Sequence, residues 1–260
     1  MKKKKKFNNK VALITGASRL KGIGAAICKS LAKDGADIFF TYWTQYDQEM
    51  PWGIKEDEPA KLKELIEKYG VRCYKKEIDL SRSENIKKLI DEVIKSMKKI
   101  DILVNNACYS TNTSYKNITA EELEKHYQVN IRATTLLSSY FGRVFKKDRG
   151  GRIINISSGQ FQGPMKNEIA YAATKGAGDA LTITLSAELA DKGITVNSVN
   201  PGPTDTGWMD NKLKEELVNK FPRGRIGQPE DAARLINFLA SEEAEWITGQ
   251  IIHSEGGFMR

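Results

Sequence analysis

Val11-Ala-Leu-Ile-Thr-Gly-Ala-Ser-Arg-Leu-Lys-Gly-Ile-Gly24 is the stretch on which the fold turns. Four apolar residues lead into Thr15-Gly16, and a run of small residues opens a helix near Gly22. A short strand passing through glycines into a helix is how a βαβ unit begins. The glycines allow a tight turn and let backbone N–H groups approach a pyrophosphate at the helix N-terminus. The same alternation runs on to the end of the chain. Apolar runs at 36–41, 71–78, 102–105, 152–156, 195–199 and 250–253 are separated by amphipathic patterns near 22–33, 58–69, 83–97, 119–147, 168–191 and 229–240. Near-continuous apolar strands are buried on both faces, as in a parallel sheet covered by helices. With right-handed crossovers, the pattern predicts an α/β, three-layer, doubly wound Rossmann fold with a seven-stranded parallel sheet.

The chain has 260 residues, is 40% hydrophobic and shows no linker or internal repeat. One domain over 8–260 is expected, with residues 1–7 as a disordered basic tail. Lys2 to Lys6 supply most of the net charge of +8. They are followed by Phe7-Asn8-Asn9 rather than an apolar segment, so they do not read as a secretory signal. No apolar run is long enough to span a bilayer, and no membrane association is expected. No aromatic-interleaved basic face supports the lysines, so a nucleic-acid partner is not expected either. Cys28, Cys73 and Cys108 are odd in number and lack metal-ligand spacing, which suits a reducing cytoplasm. His126 and His253 have no ligand partners nearby in sequence, so no metal is expected.

Two stretches break the alternation, an aromatic-rich one at 42–57 and a second at 203–228. Both follow strand C-terminal ends, where ligands bind in this architecture. Trp43, Trp52 and Trp208 within them either wall a substrate pocket or cover small satellite clusters.

The chemistry is concentrated at Tyr171-Ala-Ala-Thr-Lys175, with Ser157-Ser158 upstream. Residues four apart on a helix share a face. A phenol holds its proton to about pH 10, and a neighbouring ammonium is expected to bring that value toward the working range. A serine hydroxyl from a strand end then helps hold a carbonyl oxygen against the phenol. Cofactor choice follows from charge. NAD sites place an acid near the end of the second strand, but here that region reads Thr41-Tyr42-Trp43-Thr44. Arg19 and Lys21 in the glycine loop offer cations for a 2′-phosphate, so NADP is expected in preference to NAD.

Taken in order, these motifs resemble the short-chain dehydrogenase/reductase family over residues 8–260. The resemblance rests on Gly16, Gly22-Ile-Gly24, Asp79-Leu80, Asn105-Asn-Ala107, Asn130, Ile156-Ser-Ser158, Tyr171, Lys175 and Asn200-Pro-Gly202. Ser158 lies thirteen positions before Tyr171, the family's usual interval, so Ser158 rather than Ser157 takes the catalytic place. The resemblance implies that Tyr171 exchanges the proton and that Ser158 bonds the substrate oxygen. Lys175 would tune Tyr171 and bind the nicotinamide ribose, and Asn130 would hold a relay water. Dinucleotide contacts would come from Gly16, Ser18, Arg19, Lys21, Gly22, Ile23, Gly24, Asp79 and Leu80. Further along they would come from Asn106, Ala107, Tyr171, Lys175, Pro201, Gly202, Thr204 and Thr206. Tyr109 and Gln160, next to strand ends, are expected to face substrate beside Ser158 and Tyr171.

Three features depart from the common pattern. Five residues separate Gly16 from Gly22 where three are usual, as in the enoyl-thioester reductase branch. That branch has a wider Tyr–Lys spacing and lacks the serine, so the tetrad here points to carbonyl reduction. Cys108 stands where a glycine usually follows Asn-Asn-Ala, and Glu255 replaces a more frequent aspartate. The family members most similar in overall pattern are bacterial 3-oxoacyl-[acyl-carrier-protein] reductases of fatty acid biosynthesis. They imply a ketone or 3-oxoacyl thioester substrate, an acyl carrier protein as candidate partner and a homotetramer. An NAD(P)-linked alcohol or polyol dehydrogenase, and a non-catalytic dinucleotide-binding protein, are the alternatives.

Overall fold

The computed structural model describes residues 5–53, 55 and 57–260. Strands β1 (Val11–Ile14), β2 (Asp37–Tyr42), β3 (Cys73–Glu77), β4 (Ile102–Asn105), β5 (Gly151–Ile156), β6 (Ile194–Asn200) and β7 (Ile251–His253) form one sheet. Its order is β3-β2-β1-β4-β5-β6-β7, and every pairing is parallel. The chain thus winds outward in both directions from the β1/β4 junction, where a crevice opens at the strand C-terminal ends.

Helices cover both faces. On one side α1 (Ile23–Lys33), α3 (Glu58–Glu67) and α9 (Pro229–Leu239) bury Ile27, Leu31, Leu62, Ile66 and Ile236 against Ile14, Ile38 and Phe40. On the other, α4 (Ser83–Met97) and α6 (Thr134–Val144) bury Ile86, Leu89, Val93, Leu137 and Phe141 against Leu13, Leu103 and Ile153. Neighbouring residues of one strand serve opposite faces, as Leu13 and Ile14 do, so both must be apolar.

The structure alters three details of the sequence reading. Of the expected tail, residues 1–4 lie outside the described residues, but residues 5–7 are docked. Phe7 is 1% exposed within the core, and its N–H donates to the Asp34 carbonyl at 2.8 Å. Burying a phenylalanine is worth about 1.5–3 kcal/mol, enough to hold the chain down there. Second, 119–147 is not one helix: α5 (Ala120–Tyr127) and α6 are joined by a π-helical turn at Gln128–Ala133. Third, the two interruptions carry short helices, α2 (Thr44–Glu49) and α8 (Asn211–Val218). Among the described residues no helix is long and apolar enough to cross a membrane.

Candidate active site

A cleft of about 1270 Å³ runs along the C-terminal edge of the sheet. Its floor is the β1 glycine loop. Gly16 has φ +72°, and a Cβ there would lie 2.6 Å from the Ala107 Cα. A side chain at Gly24 would lie 2.6 Å from the Gly16 carbonyl oxygen. These are backbone obstacles that cannot yield, so only glycine fits. The neighbouring strand end locks the turn. Thr15 Oγ1 accepts from the N–H groups of Asn106 and Ala107, both at 3.0 Å, and Asn106 Nδ2 donates to the Thr15 and Gly16 carbonyls at 2.8 Å. Behind the turn, α1 opens at Ile23 with Gly22 as its cap and no side chain capping it. The free N–H groups and positive helix end suit an anion such as a pyrophosphate.

Ser18, Asp79, Leu80, Asn106, Ala107, Pro201, Gly202, Thr204 and Thr206 line the same cleft, as does Arg19. The expected use of the loop cations, however, needs correction. Arg19 Nη1 donates to the Thr206 carbonyl at 2.9 Å, its Nε lies 3.4 Å from Asp47, and its guanidinium stacks 4.5 Å from the Trp52 ring centre. Lys21 pairs with Asp205 at 3.4 Å and stands outside the cleft lining. Asp47 is 4% exposed and also accepts from Trp52 Nε1 at 2.8 Å. The 42–57 stretch thus supplies a carboxylate that holds Arg19. Tyr46, on α2, reaches the far wall, with its hydroxyl donating to the Ser110 carbonyl and its ring 5.7 Å from Tyr109. Trp43, Trp52 and Trp208 all line the cleft.

The reacting end lies where β5 meets α7 (Ile169–Glu188). Lys175 is 8% exposed, its Nζ donates to the Ile156 carbonyl at 2.7 Å and lies 5.4 Å from the Tyr171 ring centre. Ser158, at the β5 end, lines the cleft with Tyr171 and favours the ionised phenol, while its Oγ contacts Met165 Sδ at 3.9 Å. Burial pushes the Tyr171 pKa above its ordinary 10.0, and the pull of Lys175 and Ser158 does not overcome it. The expected net lowering is therefore overturned in the free protein: desolvation of the phenolate outweighs one ammonium. Burial lowers the Lys175 pKa, but Cys108 and Tyr171 outweigh it and the net direction is upward. Lys175 remains an ammonium facing a neutral phenol. Cys108 is half-buried on the cleft wall beside both.

Asn130 sits in the π-helical turn with its side chain committed. Its Oδ1 accepts from Tyr109 N–H at 2.8 Å, and its Nδ2 donates to the Tyr109 carbonyl at 2.9 Å and to Thr174 Oγ1 at 3.0 Å. Fastening Tyr109 and α7 to one amide is a physical reason for the extra residue in that turn. Beside Lys175 lies a cavity of about 20 Å³, lined by Asn105, Asn130, Asn155, Thr174 and Ser198 among others. Its volume admits about one water, and Asn105 Oδ1 is a buried acceptor with no protein partner.

Tyr109 and Ser158 face the cleft, but Gln160 does not line it. Its amide donates to Asp179, a buried carboxylate on α7 that also accepts from Ser157 Oγ at 2.6 Å. Strand-end position alone did not reveal which way Gln160 turns. The sequence reading missed Met165, Glu168, Phe258 and Arg260 on the substrate side. Glu168 was legible in principle, three residues before Tyr171 and so one helical turn away.

Comparison with known proteins agrees with this fold. The sequence profile of the family described as "Enoyl-(Acyl carrier protein) reductase" matches residues 16–259. The chain is 51% identical to the "Uncharacterized oxidoreductase YjdA" of Bacillus subtilis, over 96% of this chain and 97% of that one. It is 35% identical to the "3-oxoacyl-[acyl-carrier-protein] reductase FabG" of Aquifex aeolicus, over 97% and 98%. A short-chain dehydrogenase from Burkholderia cenocepacia, solved in complex with NADP, superposes with a TM-score of 0.87 at 31% identity, covering 97% of this chain and 98% of that one. The chain belongs to the short-chain dehydrogenase/reductase family of oxidoreductases.

Proposed function

We propose that this protein is an NADPH-dependent carbonyl reductase working through Ser158, Tyr171, Lys175 and Asn130. One observation carries the reading: Tyr171, Lys175 and Ser158 line one cleft, with Lys175 Nζ 5.4 Å from the Tyr171 ring centre, and burial keeps the phenol protonated. A protonated phenol is a general acid, which is what reduction of a carbonyl requires. Ser158 would bond the carbonyl oxygen as negative charge builds on it, and Tyr171 would deliver the proton. Lys175 would stabilise the phenolate left behind. The dinucleotide, bound along the glycine cradle, supplies the hydride. Reprotonation of Tyr171 would run past Lys175 toward the small polar cavity. Asn130, which lines that cavity, would hold a relay water there, as the family resemblance implies.

NADP over NAD is supported by the absence of an acid at 41–44 and by Arg19 at the cleft. A 2′-phosphate would share Arg19 with Asp47. Similarity to FabG makes a 3-oxoacyl thioester the first candidate substrate, with an acyl carrier protein as its carrier. Free, buried Cys28 and Cys73 suit the cytoplasm. The exposed Phe161, Ile169 and Ile183 on and near α7, and Trp246 at 95% exposure, are apolar surface of the kind that a homotetramer would cover.

The test is oxidation of NADPH and of NADH with an acetoacetyl thioester beside simple ketones and aldehydes. Turnover lost in Tyr171→Phe supports the assignment. Dinucleotide binding without turnover of any carbonyl would overturn it in favour of a non-catalytic binding protein.

A further inference from the structure

Glu168 lies on the substrate side of the cleft, one helical turn before Tyr171. It occupies the N-cap position of α7, yet its side chain makes no capping bond to the helix N–H groups. Among the described residues its carboxylate takes part in no hydrogen bond or ion pair. The backbone around it is firmly held. Thr113 N–H donates to the Asn167 carbonyl at 2.7 Å, and Ile169 N–H and Ala170 N–H return bonds to Thr113 at 3.0 Å. Asn167 is in the left-handed region at φ +63°, which turns the chain just before Glu168. A rigid loop therefore presents an uncommitted carboxylate to the place where substrate must lie.

The cleft lining holds Met165 and Pro164 on the same loop, Trp208, Leu213 and Phe258 from other segments, and the cation Arg260, which packs against Gly163 and is paired with Glu255 at 2.7 Å. Burial raises the Glu168 pKa above its ordinary value. An apolar acyl chain laid over this group would strip its water and return no bond, which is costly. A substrate group that donates a hydrogen bond would turn that cost into recognition.

We propose that Glu168 is the substrate-selecting residue of this site, accepting a hydrogen bond from a donor carried one or two carbons from the reducible carbonyl. The substrate class is a hydroxy- or amino-substituted ketone, or in reverse the corresponding vicinal diol or amino alcohol. The inference rests on the reductase reading above and, within it, favours these ketones over the 3-oxoacyl thioester.

Hydroxyacetone, aminoacetone and butanone differ only in whether OH, NH3+ or CH3 lies beside the acetyl group, so they isolate the donor. kcat/KM is measured for each, and for the acetoacetyl thioester, with the wild type, Glu168→Gln and Glu168→Leu. The wild type should favour a donor-bearing ketone over butanone by about 30-fold or more, as sites built around a substrate hydroxyl do. Glu168→Leu should reduce that ratio to about 3-fold or less while butanone turnover is kept or raised, which also shows that the variant is folded. Glu168→Gln, which still accepts a hydrogen bond but carries no charge, should keep the hydroxyl preference and lose the ammonium preference. An ammonium preference in the wild type that is lost in Glu168→Gln, with no hydroxyl preference in either protein, would identify the amine as the donor. A wild type that does not discriminate, or discrimination that survives Glu168→Leu, overturns the proposal. Should Glu168→Leu be inactive throughout, an unchanged pattern in Glu168→Gln for both donors overturns it. If the wild type binds dinucleotide but turns over none of the four carbonyls, the reductase reading itself fails.

Discussion

Replacing Asp179 by asparagine should make the protein more stable, although it removes a buried, hydrogen-bonded charge. Asp179 is 3% exposed and is met by two neutral donors, Ser157 Oγ and Gln160 Nε2. Burial raises its pKa above 3.8, and the bonds from Ser157 and Gln160 and the charge of Lys175 do not cancel that rise. The ionised carboxylate is thus a net cost to the folded state near neutral pH. Asparagine has the same shape and no charge. Its Oδ1 still accepts from Ser157. The Gln160 carbonyl oxygen, buried without a partner, gains a donor once that amide turns over. Exchanging buried ions for neutral groups that pack equally well is commonly neutral or stabilising, and about 1–2 kcal/mol is the gain expected at pH 8. An unfolding entropy near 2.1 cal/mol/K per residue makes 1 kcal/mol equal to roughly 2 °C for a chain of this length, so Tm should rise by about 2–4 °C. The sign with pH is fixed. A raised folded-state pKa leaves the wild type undiminished below about 3.8, and its stability is lost as pH rises through the folded value. The advantage of the variant is therefore largest at pH 8, narrows on acidification and closes at low pH. Thermal melts of both proteins across that range are the assay. A Tm lowered by more than about 2 °C at pH 8, or a gap that does not change with pH, would refute the reasoning.

Tyr171→Phe keeps the ring and removes the proton donor. It should lower kcat about 10²–10⁴-fold while dinucleotide affinity, read by fluorescence titration, is unchanged. Gly16→Ala would drive a methyl into the Ala107 backbone at a φ of +72°, so dinucleotide binding should be lost, with a lowered Tm in the same sample. Asp101 is fully buried; burial would raise its pKa, but bonds from Lys147 and the Val11 N–H, with Lys99 at 3.1 Å, hold it below 3.8. Asp101→Asn should destabilise by about 2–4 kcal/mol at pH 7. Because the folded pKa is depressed, that contribution is present above about 3.8 and is lost as pH falls through the folded value, so melts of the two proteins should converge in acid.

The succession of elements was legible because a buried parallel strand needs apolar residues on both faces and a crossover helix needs only one. Leu13 and Ile14 serve opposite faces of β1, and that requirement is written in the local sequence. Gly16 and Gly24 were legible for a similar reason: a steric need that only glycine meets marks its position without regard to the rest of the chain. Tyr171 and Lys175 announced themselves through helical spacing.

What the sequence could not determine were balances between groups distant along the chain. The Tyr171 pKa depends on how much of the fold excludes water from it, and burial prevails over Lys175. Arg19 had the right charge for a phosphate, but Asp47 and Trp52, far along the chain, decided how it is held. Gln160 turned to Asp179 rather than to substrate, and Phe7 left the tail for the core. Glu168 shows the same division. Its place one turn before Tyr171 is a matter of sequence, whereas its lack of any partner follows only from the packing of the Thr113 loop against α7. Local sterics and periodicity act within a few residues and can be read there; desolvation and charge pairing are properties of the assembled tertiary structure, and only it sets them.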